Sequence, residues 1–154
     1  MAIFPYIAHV ALQVRDLQAS IDFYEKLGFP EFLRLNNDDG KPWIVYMRVT
    51  DDFYFELFPG PDTGFVKKGQ TGVHHLSLQS ADLDETVAHL EGVGIPLESP
   101  LKEGRGVDGN RGCWIVDPDG NRIELMEMAP TCIQLEALKK LAAGGGSTAL
   151  VKPL

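Results

Sequence analysis

Four residues of this 154-residue chain have the types and spacing for shared metal chemistry: His9, Glu56, His75 and Glu124. Glu56 follows His9 by 47 positions and Glu124 follows His75 by 49, so an imidazole–carboxylate pair recurs at nearly constant separation. Each carboxylate sits among large apolar residues, Phe55-Glu56-Leu57-Phe58 and Ile123-Glu124-Leu125-Met126. A lone charge is expensive in such a place unless something pairs with it. One cation shared by both pairs would offset that cost. Two imidazole nitrogens and two carboxylate oxygens make a donor set for a divalent ion, with positions left for water or substrate.

The recurrence extends beyond the four residues. Counted from His9 and from His75, the same residue stands at Leu12 and Leu78, Gln13 and Gln79, Asp16 and Asp82, and Leu17 and Leu83. It stands again at Glu25 and Glu91, Gly28 and Gly94, and Pro30 and Pro96. With the histidines these are eight identities in 22 positions, where background usage gives roughly one or two. The chain therefore holds a duplicated unit. Strand alternation selects His75 over its neighbour: His75 shares a face with Ser77 and Gln79, as His9 does with Ala11 and Gln13. His74 falls with Leu76 and Leu78, as a satisfied core or edge residue, and His89 takes an exposed helical position with no role.

The elements that must carry these residues follow from periodicity. Residues 6–14 alternate as a strand, with Val10, Leu12 and Val14 on the buried face. Asp16 is an N-cap for a helix whose apolar stripe is Leu17, Ile21, Tyr24 and Leu27, and Gly28 with Pro30 ends it. Strands are expected at Phe32–Leu35, Trp43–Val49 and Phe53–Phe58, and a linker over 59–72, rich in Gly and Pro. The second copy repeats the order. A strand runs from Val73 to Gln79, and Asp82 caps a helix with the stripe Leu83, Val87 and Leu90. A short strand is expected at Ile95–Glu98, then a Gly-rich loop over 99–112. Two strands follow, Cys113–Val116 and Arg122–Met128, around the turn Asp117-Pro-Asp-Gly-Asn121. The expected fold is α+β, two pseudo-symmetric βαβββ modules at about 6–59 and 73–128 within one domain, 1–130. A C-terminal helix and a mobile tail occupy 131–154.

Composition bounds the function. A net charge of −8 argues against a nucleic-acid or anionic-membrane surface, both of which need clustered Lys and Arg. The sequence has no apolar run of 18 residues and no basic, signal-like N-terminus. Two cysteines, Cys113 and Cys132, make no disulfide framework, so a reduced cytoplasmic protein is expected. The loop 99–112 carries Lys102, Arg105 and Arg111. It reads either as a solvated surface loop or as a lid that meets an anionic substrate. Gln13 and Gln79 are satisfied amides lining the cavity or contacts to substrate. One of Cys113 and Trp114 faces the cavity, and alternation alone leaves open which.

The stretches His9-Val-Ala-Leu-Gln-Val-Arg-Asp-Leu17, Ser20-Ile-Asp-Phe-Tyr-Glu-Lys-Leu-Gly-Phe29, Val73-His-His-Leu-Ser-Leu78 and Asp117-Pro-Asp-Gly-Asn-Arg-Ile-Glu-Leu125 resemble the vicinal oxygen chelate superfamily. That superfamily includes glyoxalase I, acyl-CoA epimerases, fosfomycin-resistance proteins, bleomycin-binding proteins and extradiol dioxygenases. The resemblance implies two modules cupped into a half-open barrel around a metal-binding cleft, and a homodimer acting on a small molecule. It implies metal ligands at His9, Glu56, His75 and Glu124, a set most similar to that of bacterial glyoxalase I. Nickel, cobalt or zinc would be the ion, with manganese or iron as alternatives. The implied reaction is lyase or isomerase chemistry through a metal-held enediolate, with Glu124 or Glu56 moving the proton.

The glutathione-using members place an Arg four residues after the first His and an Asn four residues after the first Glu. Here those positions are Gln13 and Gly60, so the resemblance carries the metal chemistry without carrying glutathione. An epimerase of an acyl thioester and a metal-free drug-binding module are the alternatives. Transferases and dioxygenases that use two His and one carboxylate fit less well, because Glu56 supplies a fourth ligand.

Overall fold

Alternation places every second residue of the first strand against the core, and a computed structural model of the protein follows that rule. It describes residues 7–60, 74–101, 103–106 and 108–145. Most of the expected linker over 59–72, the start of the second-module strand at Val73, Lys102 and the tail from 146 lie outside the described residues. Two compact units result. The first holds 7–60, His74 and the turn Asp117–Asn121, and the second holds His75–Val116 and 122–145.

In the first unit, β1 (His9–Val14) leads into α1 (Leu17–Lys26), whose N-terminus Asp16 caps by accepting from Ala19 N at 3.0 Å. Gly28 turns the chain out of the helix at φ 85°, a conformation that costs glycine little. Then come β2 (Glu31–Asn36), β3 (Pro42–Arg48) and β4 (Tyr54–Pro59). The sheet order is β1-β4-β3-β2, with β1 parallel to β4 and the other pairs antiparallel. Ile21 and Tyr24 of α1 and Val14, Val45, Met47, Phe55 and Leu57 of the strands are buried. Tyr24 meets Phe55 edge to face at 5.4 Å. Burying a side chain such as Phe55 contributes roughly 1.5–3 kcal/mol. The opposite sheet face is thereby left for His9 and Glu56.

The second unit repeats the plan with β5 (Leu76–Gln79), α2 (Leu83–Gly92), β6 (Arg111–Val116) and β7 (Arg122–Glu127) in the order β5-β7-β6, with β5 parallel to β7. Asp82 caps α2 through Glu85 N at 3.0 Å, and Leu83 and Leu90 bury the helix's apolar face. The strand expected at Ile95–Glu98 is not formed. That segment makes one sheet-like bond, Glu98 N to the Trp114 carbonyl at 2.7 Å. Pro96 and Pro100 remove the backbone donors that a ladder needs. The architecture is α+β, with two mixed sheets and three helices among the described residues. The third helix, α3 (Ile133–Ala142), has no buried residue and leaves Leu138 and Leu141 exposed.

The turn Asp117–Asn121 joins β6 to β7 in sequence but groups with the first unit. Asp117 is 4% exposed and saturates its carboxylate. Oδ1 accepts from Asp119 N and Asn121 N, and Oδ2 accepts from Asn121 Nδ2 and, at 2.9 Å, from the Tyr24 hydroxyl. Arg15 Nε donates to Asp119 Oδ1 at 2.9 Å beside it.

Candidate metal centre

Parallel pairing of the first and last strands of each module brings the repeated residues together. In the first unit Ala11 is the register partner of Glu56, so His9 stands two residues upstream on the same face. In the second, Ser77 is the partner of Glu124, and His75 stands two residues upstream of it, immediately before β5. The two pairs therefore have the same register. His9 Nε2 lies 3.5 Å from Glu56 Oε2, and His75 Nε2 lies 3.4 Å from Glu124 Oε2. The carboxylates are the more covered partners, 13% and 19% exposed against 39% and 31% for the imidazoles.

Those distances test whether a metal ion suits the residues. They are longer than the roughly 2.7–3.2 Å of an N–H···O hydrogen bond. Two donors each about 2.1 Å from one ion stand roughly 3.0–3.4 Å apart. Donor type and separation both fit a divalent ion. Each pair by itself supplies two donors, and among the described residues no group of three or more His, Cys, Asp and Glu side chains is assembled.

Aromatic residues hold both imidazoles. The His9 ring stacks on Tyr54 at 5.3 Å, and the His75 ring meets Trp114 edge-on at 4.8 Å. Trp114 is the register partner of Glu124 and carries Arg122 over its ring at 4.2 Å, while Cys113 is buried on the other face. That settles which of the two residues faces the site. Burial pushes the Cys113 thiol up, so it is protonated at neutral pH. Tyr46, the register partner of Glu56, has its phenol pushed up by loss of solvent and by the Glu56 charge, and it remains a neutral donor. Tyr54 was legible as the residue two before Glu56 on one strand. Tyr46 and Trp114 needed the cross-strand register, which alternation alone does not supply.

The surroundings of the other expected site residues, Arg111, Arg105, Gln79 and Gln13, are as follows. Arg111 opens β6 and binds Asp84 through both guanidinium nitrogens at 2.8 Å, with Glu127 at 3.5 Å. This pairing holds the Asp84 carboxyl below the usual carboxylate range. Arg105 donates to Glu127 at 2.9 Å and to the Gly109 carbonyl. Both cations are thus matched within the second unit. Gln79 ends β5 and is exposed. Gln13 is half-buried opposite Phe58, and its Nε2 lies 2.9 Å from where a Cβ on Gly60 would stand. His74 and His89 are both exposed.

The model of the Glyoxalase/Bleomycin resistance protein/Dioxygenase superfamily matches residues 6–125. The uncharacterised protein YaeR of Escherichia coli (strain K12) is 27% identical over 128 residues, covering 79% of this chain and 95% of that protein. The crystal structure of a glyoxalase family protein from Enterococcus faecalis matches with a TM-score of 0.69 at 27% identity, over 82% of this chain and all of that one. A lactoylglutathione lyase from Agrobacterium tumefaciens matches with a TM-score of 0.60 at 25% identity, over 82% of this chain and 96% of that chain.

Proposed function

We propose that this chain, which belongs to the Glyoxalase/Bleomycin resistance protein/Dioxygenase superfamily, is a divalent-metal-dependent lyase or isomerase of glyoxalase I type. Its substrate is a small carbonyl compound. The observation that carries this reading is the His–Glu pair repeated in the same register in both units. His9, Glu56, His75 and Glu124 would hold nickel, cobalt or zinc. When bound, the ion would polarise a substrate carbonyl and acidify the neighbouring C–H.

The chain's own part is proton transfer. Glu124 or Glu56 takes the proton from that carbon and returns it to the adjacent one. Tyr54 and Trp114 fix the imidazole planes, and Tyr46 lies beside Glu56 as a neutral phenol. Arg105 and Arg111 stay with Glu127 and Asp84, so we assign them to holding the loop in place rather than to binding substrate. Gln79, exposed at the end of its strand, gets no part in the reaction. Cys113 and Cys132, buried free thiols, suit a reducing cytoplasm.

Elemental mass spectrometry of protein purified without chelator or nickel resin tests the reading. Wild type should retain about one transition metal per two His–Glu pairs, and Glu56→Gln and Glu124→Gln should each retain about tenfold less or lower still. Isomerase assays with that metal then address the reaction. Wild type with no metal, even after reconstitution, would remove the lyase reading and leave a metal-free binding module.

A further inference from the structure

His9 and His75 are carried differently, although the repeat makes them equivalent. His9 lies inside β1, where Tyr54 is its register partner, and the Tyr54 ring stacks on its imidazole at 5.3 Å. His75 stands one residue before β5, whose first register pair is Leu76 with Ile123. Beyond the ladder the backbone is held less, so the ring packed on His75 carries more of its orientation. That ring is Trp114, edge-on at 4.8 Å.

The residue two before each glutamate differs as well. In the first unit it is Tyr54, and in the second it is Arg122, whose guanidinium lies over the Trp114 indole, 4.2 Å from the ring centre. Glu98 holds both ends of this arrangement. Its backbone N–H donates to the Trp114 carbonyl at 2.7 Å, and its Oε2 accepts from Arg122 Nε and Nη2 at 2.9 and 2.6 Å. Both charged side chains are about one-third exposed. An ion pair so exposed contributes little to stability. Its effect is on the ring beneath it.

We propose that Glu98 and Arg122 are positioning residues of the second His–Glu pair. Together they clamp the Trp114 indole, and the indole sets the plane of the His75 imidazole. The consequence for metal binding rests on the metal-dependent reading, whereas the geometry does not. Glu98 has a second effect. A guanidinium one ring away from His75 repels a cation held there, and the carboxylate offsets that charge. The first pair needs no such clamp, because a phenol ring lies directly on its imidazole.

NMR of the histidine rings in metal-free protein reads the geometry. The indole ring current displaces the His75 signals, which are identified by their loss in His75→Gln. Arg122→Ala and Glu98→Gln should each move those signals toward the positions of an exposed histidine, while the His9 signals stay. Cobalt(II) titration of the same proteins reads the consequence. Arg122→Ala should weaken binding about tenfold. It should have no further effect in a Trp114→Ala background, because it acts through the indole. Glu98→Gln should weaken binding too, and more at low ionic strength, where the uncompensated charge is less screened. Thermal melts check that each variant folds, and Glu98→Gln keeps the arginine in place should Arg122→Ala unfold.

His75 signals unmoved in both variants, or additive losses in the Arg122–Trp114 cycle, overturn the positioning role. If wild type takes up cobalt in that case, the metal-dependent reading survives. A Glu98→Gln loss that is equal at all ionic strengths removes the charge effect of Glu98. Moved His75 signals in a protein whose wild type takes up no cobalt overturn the metal-dependent reading and keep the clamp.

Discussion

At the two His–Glu pairs, distance discriminates between interactions that would otherwise look alike. A separation of 3.4–3.5 Å is long for a hydrogen bond and natural for two ligands of one ion. The Tyr24 hydroxyl is the opposite case, 2.9 Å from Asp117 Oδ2 and buried. Loss of solvent, then the Asp117 charge, pushes the Tyr24 phenol up, so the hydroxyl always donates. A buried hydrogen bond to a charged acceptor contributes about 1.5–3 kcal/mol. Tyr24→Phe should therefore lower stability by about that amount in urea denaturation while leaving metal retention unchanged. A midpoint equal to wild type would show that the turn's other three donors suffice for Asp117. The pairing of Tyr24 with Asp117 crosses 93 positions of sequence, and no local pattern announces it. The Asp117-Pro-Asp-Gly-Asn turn itself was fully legible.

At the level of elements, α3 is held by a loop rather than by its own cap. Cys132 offers no capping side chain, and the Asp108 carbonyl accepts from Ile133 N at 3.1 Å. The Asp108 carboxylate accepts from Gln134 Nε2 and from Asn110 Nδ2, each at 2.9 Å, and Asn110 Oδ1 accepts from Ala129 N. The Gln134 bond, followed by the bonds from Asn110, holds the Asp108 carboxyl below the usual carboxylate range. A depressed folded-state pKa contributes stability that is present above the unfolded value. It is lost as pH falls through the folded one. Asp108→Asn should be less stable than wild type at pH 7, and the gap should close as pH falls below about 4. A gap independent of pH would assign the effect to shape rather than charge. From sequence the loop 99–112 reads either as a solvated surface loop or as a lid. Its described part is tied down through Arg105, Asp108 and Asn110, with the partners Glu127 and Gln134 supplied by later elements.

At the scale of the whole molecule, β2 is a sheet edge that exposes Phe32, Leu33 and Leu35. A long apolar edge with unpaired backbone groups invites pairing with another chain. Homodimerisation is the expected outcome, and light scattering should give twice the chain mass of 17.0 kDa. Leu33→Glu with Leu35→Glu should shift the protein toward monomer, whereas a monomeric wild type would refute the expectation. No helix among the described residues is long and apolar enough to cross a membrane.

The sequence by itself determined the duplication, the capped helices, the alternating strands and the four repeated His and Glu residues. Each depends on residues a few positions apart or on comparison of the chain with itself. Only the tertiary structure decided that the first and last strands of each module pair in parallel, which brings His9 to Glu56 and His75 to Glu124. It alone placed Tyr46 and Trp114 at the carboxylates, and it withheld a strand from Ile95–Glu98. It also matched Arg105 and Arg111 with Glu127 and Asp84. The reason is physical: hydrophobic period and turn chemistry are local properties of the chain. Strand register and the choice of a charge's partner depend on which distant groups the fold brings within a few ångströms.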